Sequence, residues 1–145
     1  NSYKRLRPGL IAGYWANWGL DNRFSTYRIP GERGQATRIE CRNPDGTASP
    51  HLVTAALLAT MLHGVEEELP LPEPQVGDAD AEPNTDRHSP HTLAEALDAV
   101  EKDAVLSEAI GGDLVRTFLG IKRADVARFD AAVTDWEIRE YGRLF

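Results

Sequence analysis

A serine followed by proline at positions 49 and 50 splits the 145 residues into two stretches of different character. Serine suits the N-cap of a helix and proline its first position, so a helix must start here. Ahead of it, residues 1–48 are rich in glycine, asparagine and aromatics with short extended runs. "AGYWANWG" (12–19), "FSTYRIP" (24–30) and "TRIECR" (37–42) read as strands, separated by "LDN" (20–22) and "GERGQA" (31–36). They predict an antiparallel meander, followed by helices: an α+β class with the strands in the first ~45 residues. Residues 51–68 are apolar nearly all round and predict a buried helix.

The C-terminal two thirds reads as helical scaffold. Five prolines among acidic residues make 69–91 a surface excursion, with His88 and His91 as solvated loop histidines rather than a metal pair. Thr92 and Glu95 form a capping-box pattern ahead of a helix over 92–103 with Leu93, Leu97 and Val100 as its apolar stripe. Gly111-Gly112 interrupts, helix resumes over 113–133, and Thr134/Glu137 marks a second capping box before "WEIREYGRLF".

The length suits one domain with a real core. A lone cysteine, Cys41, excludes an internal disulfide and favours the cytoplasm. The longest apolar run, Leu52 to Leu62, is too short for a bilayer, so no membrane partner is expected. The chain opens on Asn1 without a secretion leader and reads as a piece of something longer.

Net charge is −7, which argues against nucleic acid as a partner, yet the charge is unevenly spread. Residues 1–50 hold eight basic and four acidic side chains, +4, leaving −11 for the rest; seven of the eight cations are arginine. Arginine is the side chain suited to bidentate contact with carboxylate and phosphate, so the first third looks built to hold anions. P-loop, dinucleotide GxGxxG, kinase catalytic loop and paired zinc cysteines are all missing. What remains is Arg38, Glu40 and Arg42 on alternate positions of one strand, ~7 Å apart on a shared face. Glu40 could ligate a divalent cation and the arginines the anions it bridges, but one glutamate does not complete a magnesium site. Ile39 and Cys41 should then face the core, and Trp15 and Trp18 should pack rather than stack on a ligand.

"NSYKRLRPG" (1–9), "DNRFSTYRIP" (21–30) and "RIECRNPDGTASPHL" (38–52) occur in the order and near the spacing seen in glutamine synthetases. The chain resembles the C-terminal portion of that family's catalytic domain over essentially all 145 residues, and "TDWEIREY" fits as well. The resemblance implies an ATP-dependent ligase that phosphorylates the side-chain carboxylate of glutamate and lets ammonia or another amine displace phosphate. By position, Arg5 and Arg42 would bind glutamate, and Arg23, Arg28 and Arg38 the ATP phosphates and nucleotide. Arg23 and Arg28 would be catalytic, and Glu40 would ligate Mg2+ or Mn2+. Arg7 and Arg33 are left as solvated or structural cations.

Three positions depart from the family pattern. Ile11 stands where ammonia-using members carry a flap glutamate, which favours an organic amine over ammonia. Gln35 lies near a usual phosphate-contacting lysine, and His51 replaces a tyrosine at the helix start. The resemblance also implies a homo-oligomeric ring, with the N-terminal domain, the earlier catalytic strands and the other metal ligands absent from these residues. The 145 residues by themselves are therefore expected to be inactive. The alternative is a non-catalytic, glutamine-synthetase-like structural or anion-binding assembly module.

Overall fold

The computed structural model describes residues 2–144. Asn1, the first residue of the "NSYKR" motif, and Phe145, the end of the last helical run, lie outside the described residues. The chain divides into two units, Asn1–Ala96 and Leu97–Phe145.

In the first unit a short 3-10 turn, Ser2–Arg5, leads to three short strands: β1 (Trp18–Leu20), β2 (Tyr27–Ile29) and β3 (Glu40–Cys41). They form one sheet in the order β1-β2-β3. The α+β class holds, with a small sheet followed by helices. The pairing differs from a meander: β2 and β3 are antiparallel, but β1 and β2 run parallel, Trp18 opposite Tyr27. Parallel neighbours normally need a long crossover. Here each strand has only three residues, so the short link from Asp21 to Thr26 suffices to carry the chain back. Alternation of side chains carries no information about strand direction, which is why the sequence did not disclose this.

Polar side chains staple this unit as much as apolar ones. Leu6, Ala12, Tyr14 and Ala79 are buried, and so are Asn17, Ser25, Thr26, Gln75 and Ser89. Asn17 Nδ2 donates to Gln75 Oε1 (3.2 Å), Asn17 Oδ1 accepts from Thr26 N (3.3 Å), and Gln75 Nε2 donates to Glu82 O (3.0 Å). Gln75 N also donates to Trp18 O at 2.7 Å. The proline-rich segment 69–91 is therefore not only a surface excursion: Gln75, Ala79 and Ser89 fill the interior beside the strands. Polar composition favours solvent on average, but polar side chains bonded as Asn17 and Gln75 are tolerated inside.

Gly19 marks the closest approach of this segment. A Cβ there would lie 2.7 Å from Ser25 Oγ, 2.8 Å from Asn22 Cβ and 2.9 Å from Gln75 O. Gly19→Ala is expected to destabilise the protein by about 1–3 kcal/mol through overpacking, read as a lower urea midpoint at unchanged slope.

Helix α1 spans Pro50–Glu66, with Ser49 at the N-cap in extended geometry but without a side-chain capping bond. No residue of α1 is buried, contrary to the expectation of a buried helix. Leu58, Met61, Leu62 and Val65 are all more than half exposed, because nothing among the described residues covers them.

Helix α2 (Leu93–Lys102) begins at the expected place. Glu95 N donates to Thr92 Oγ1 (3.1 Å), while the Glu95 carboxylate accepts from His91 N (2.8 Å) instead of Thr92 N. Leu97 of its stripe is buried in the second unit with Val115 and Leu119. Asp103 caps α3 (Ala104–Ile110) through Leu106 N, and Gly111, at φ 108°, separates it from α4 (Gly112–Asp130). The Thr134/Glu137 capping box is complete and starts α5 (Asp135–Tyr141). No helix is long and apolar enough to cross a membrane among the described residues.

Candidate active site

The β2–β3 pairing sets Arg28 opposite Glu40. Arg28 Nη1 donates to Glu40 Oε2 at 2.8 Å, and its Nη2 bonds to Asp21 Oδ1. On the other side, Arg38 Nη2 lies 3.3 Å from Glu40 Oε1, and Arg38 Nη1 lies 3.4 Å from Glu32. Glu40 is therefore held between two guanidinium groups, one from each side. These bonds, led by that from Arg28, keep its carboxyl below the usual carboxylate range. A depressed value means the pair persists at every pH above the ordinary carboxylate range. It is lost only as pH falls through the lower value of the folded protein.

Arg42 turns away from Glu40. Its Nη1 donates to Ser25 O (3.1 Å) and to Arg23 O, and its Nη2 donates to Ile11 O at 3.0 Å. Arg5 donates to Arg42 O (3.2 Å) and Asn43 O. Both guanidinium groups are occupied by backbone carbonyls and brace three separate segments. Burial, followed by the charge of Arg28, lowers Arg42 from its ordinary value, with Arg23 and Arg5 acting in the same direction. Arginine stays protonated regardless, so the region is a concentration of positive charge around one carboxylate.

Arg23 is exposed and lines a cleft of about 620 Å3 together with Arg28, Asp21, Phe24, Gln75 and Val76. Thus Arg5, Arg23, Arg28, Arg38, Arg42 and Glu40, drawn from separate motifs, come together in the first unit. Cleft and arginine row meet at Arg28.

Several side chains lie elsewhere than expected. Ile39 is 58% exposed, and Cys41 is half-buried beside Tyr27, so neither enters a core; a two-residue strand at the sheet's edge has no covered face. The Tyr27 phenol is raised, first by its own burial and then by Cys41. His88 and His91 are exposed, yet they are not simply solvated loop residues. The His88 ring stacks on Tyr14 at 5.1 Å and His91 Nε2 lies 3.4 Å from the Tyr14 hydroxyl. Trp15 and Trp18 are half-buried and anchor through Asp80 (3.2 Å) and Pro72 O (2.7 Å). Arg7 and Arg33 are exposed and bond to nearby carbonyls.

Two participants were missed in the sequence. Asp21 is the second carboxylate on Arg28, hidden because "DN" reads as ordinary turn chemistry. Asp80, 65 residues from Trp15, accepts from Gly9 N at 2.8 Å and so tethers the segment carrying Ile11.

As a metal ligand Glu40 has the right charge, fixed in the anionic form by its neighbours. It is a single donor, and no group of three or more potential ligands occurs among the described residues. It fits as one member of a divalent oxygen site, not as the site itself.

The profile of the glutamine synthetase catalytic domain matches residues 1–141. Gamma-glutamylethanolamide synthetase GlnA4 of Streptomyces coelicolor is 42% identical over 139 residues, covering 96% of this chain and 29% of that protein. A glutamine synthetase of Methanocaldococcus jannaschii is 40% identical over 147 residues, 97% of this chain and 32% of that one. The solved structure described as "Apo GmaS without ligand" superposes with a TM-score of 0.78 at 33% identity, over 94% of this chain and 31% of that chain. The chain thus spans about a third of the length of the relatives it matches. On this evidence, the chain belongs to the glutamine synthetase family.

Proposed function

We propose that these residues are the C-terminal portion of the catalytic domain of an ATP-dependent glutamate–amine ligase. The observation that carries this reading is the row Asp21–Arg28–Glu40–Arg38, which opens on a cleft beside Arg23. Phosphoryl transfer demands positioning and charge neutralisation more than covalent chemistry from the protein, and a fixed cluster of guanidinium groups supplies both.

In this reading Arg23 and Arg28 contact the γ-phosphoryl group as it passes from ATP to the glutamate side-chain oxygen. Arg38 lies towards the nucleotide, and Arg5 and Arg42 hold glutamate. The amine nitrogen then attacks the acyl carbon of γ-glutamyl phosphate, the C–O bond to phosphate breaks, and the nitrogen gives up a proton to the departing phosphate or to water. Glu40 contributes one carboxylate to Mg2+ or Mn2+, which neutralises phosphate charge when bound. Further ligands and a ring of like subunits come from outside this stretch, in the cytoplasm.

Ile11 puts an apolar side chain, with no proton acceptor, at the amine side, so the amine is organic. The name of the Streptomyces coelicolor relative, gamma-glutamylethanolamide synthetase, agrees with that class of acceptor. The full-length protein is expected to release phosphate from ATP in the presence of glutamate and an organic amine such as ethanolamine. Its kcat/KM should exceed that for ammonium by about tenfold or more, while residues 1–145 alone serve as the inactive control. Equal or better use of ammonium would overturn the organic-amine assignment.

A second reading has one observation in its favour: Arg5 and Arg42 are already engaged with backbone carbonyls. That suits a non-catalytic structural or anion-binding module. ATP-dependent phosphate release by the full-length protein separates the two.

A further inference from the structure

We propose that Asp21 is a positioning residue that takes one arm of Arg28 and so limits how strongly Arg28 competes with a divalent cation for the Glu40 carboxylate. The inference rests on the ligase reading for the role of Glu40, and on geometry for the rest. Arg28 has three polar nitrogens. Its Nε is buried and has no partner among the described residues, so its polar reach runs through Nη1 and Nη2. Each of these ends on a different carboxylate, Glu40 at 2.8 Å and Asp21. One guanidinium shared between two carboxylates is a balance: weakening one side strengthens the other.

Asp21 is held in place at some cost, which a mere surface counter-ion would not need. Its backbone sits at φ 50°, in the left-handed region, directly after β1. Asp21 N donates to Ile29 O at 2.8 Å, extending the strand pairing by one step. The next residue, Asn22, pins the turn from both ends. Its Nδ2 donates to Gln75 O (3.1 Å) and Gly77 O (2.9 Å), and its Oδ1 accepts from Phe24 N (2.9 Å). Strain kept in place by its surroundings is where functional geometry is found. Aspartate also tolerates this backbone region better than most residues, so the turn and the carboxylate come as one choice.

Glu40 has both oxygens engaged by arginine. A cation must compete for them, and Asp21 sets how hard Arg28 competes. With the Asp21 charge removed, Arg28, already bonded to Glu40 at 2.8 Å, is expected to pair with it alone and to compete harder.

The test uses the full-length protein, its Asp21→Asn and Asp21→Glu variants, and Mn2+ binding followed by electron paramagnetic resonance without nucleotide or glutamate. Residues that orient a metal ligand typically change affinity by ~10–100-fold, and Asp21→Asn is expected at the low end, about tenfold weaker for Mn2+. The Mg2+ concentration for half-maximal ligation should rise in parallel, and Asp21→Glu should restore both. Unchanged Mn2+ binding and Mg2+ requirement in a folded Asp21→Asn protein would overturn the proposal. So would a fall in kcat that neither excess Mg2+ nor Asp21→Glu repairs, since that marks a merely structural role. A parent protein that binds Mn2+ but forms no amide would instead overturn the ligase reading, with the Mn2+ comparison still deciding the part played by Asp21.

Discussion

Arg28→Ala in the full-length protein is expected to lower kcat for amide formation by about 10²–10³-fold, the usual consequence of removing a preorganised charge from a phosphoryl-transfer site. The change removes the group that touches both carboxylates of the row. It also withdraws the main influence holding the Glu40 carboxyl below its ordinary range, so that group moves back up towards it. Arg28→Lys is expected to be poorer than the parent as well: an ammonium point charge cannot bridge Asp21 and Glu40 as a planar fork does. Because the Arg28 side chain is largely enclosed, thermal unfolding should accompany the kinetics. Unchanged turnover in a folded Arg28→Ala protein would take Arg28 out of the reaction.

Ile11→Glu should move acceptor preference towards ammonium. A carboxylate there can take a proton from the incoming nitrogen, and positioned general bases contribute about 10²–10⁴-fold. The ratio of kcat/KM for ammonium over the organic amine is therefore expected to rise by about 10²-fold in the full-length protein. The fold should tolerate the change, since Ile11 is 55% exposed and its structural contribution is the carbonyl that accepts from Arg42. The segment is bounded by Gly9 and Gly13, at φ 81° and 77°, conformations a side chain at those positions would strain. Asp80 tethers it at Gly9. A folded Ile11→Glu variant with an unaltered acceptor ratio would separate Ile11 from amine choice.

Helix starts were legible because they depend on a few adjacent residues. Pro50 begins α1 and the Thr134/Glu137 capping box begins α5 as the sequence indicated. Gly111 ends α3 for the same local reason. Burial was not legible at α1 or in residues 69–91. An apolar helix is buried only if something covers it, and Gln75 is buried only because Asn17, Asn84 and Glu82 satisfy its amide. Ile39 and Cys41 failed for a related reason, since alternation assigns two faces but not which of them is covered.

The family, and the candidate site residues proposed from it, were read from order along the chain. The arginines and Glu40 lie in three short motifs whose spacing is itself a one-dimensional property. Tertiary structure alone decided their partners. Parallel pairing of β1 and β2 swings Asp21 beside Arg28, the register of β2 and β3 puts Glu40 on its other side, and Arg42 is drawn towards the backbone of Ile11, Ser25 and Arg23. Residue types fix which charges exist, but electrostatic partnership depends on distance through space, and only the folded backbone sets that.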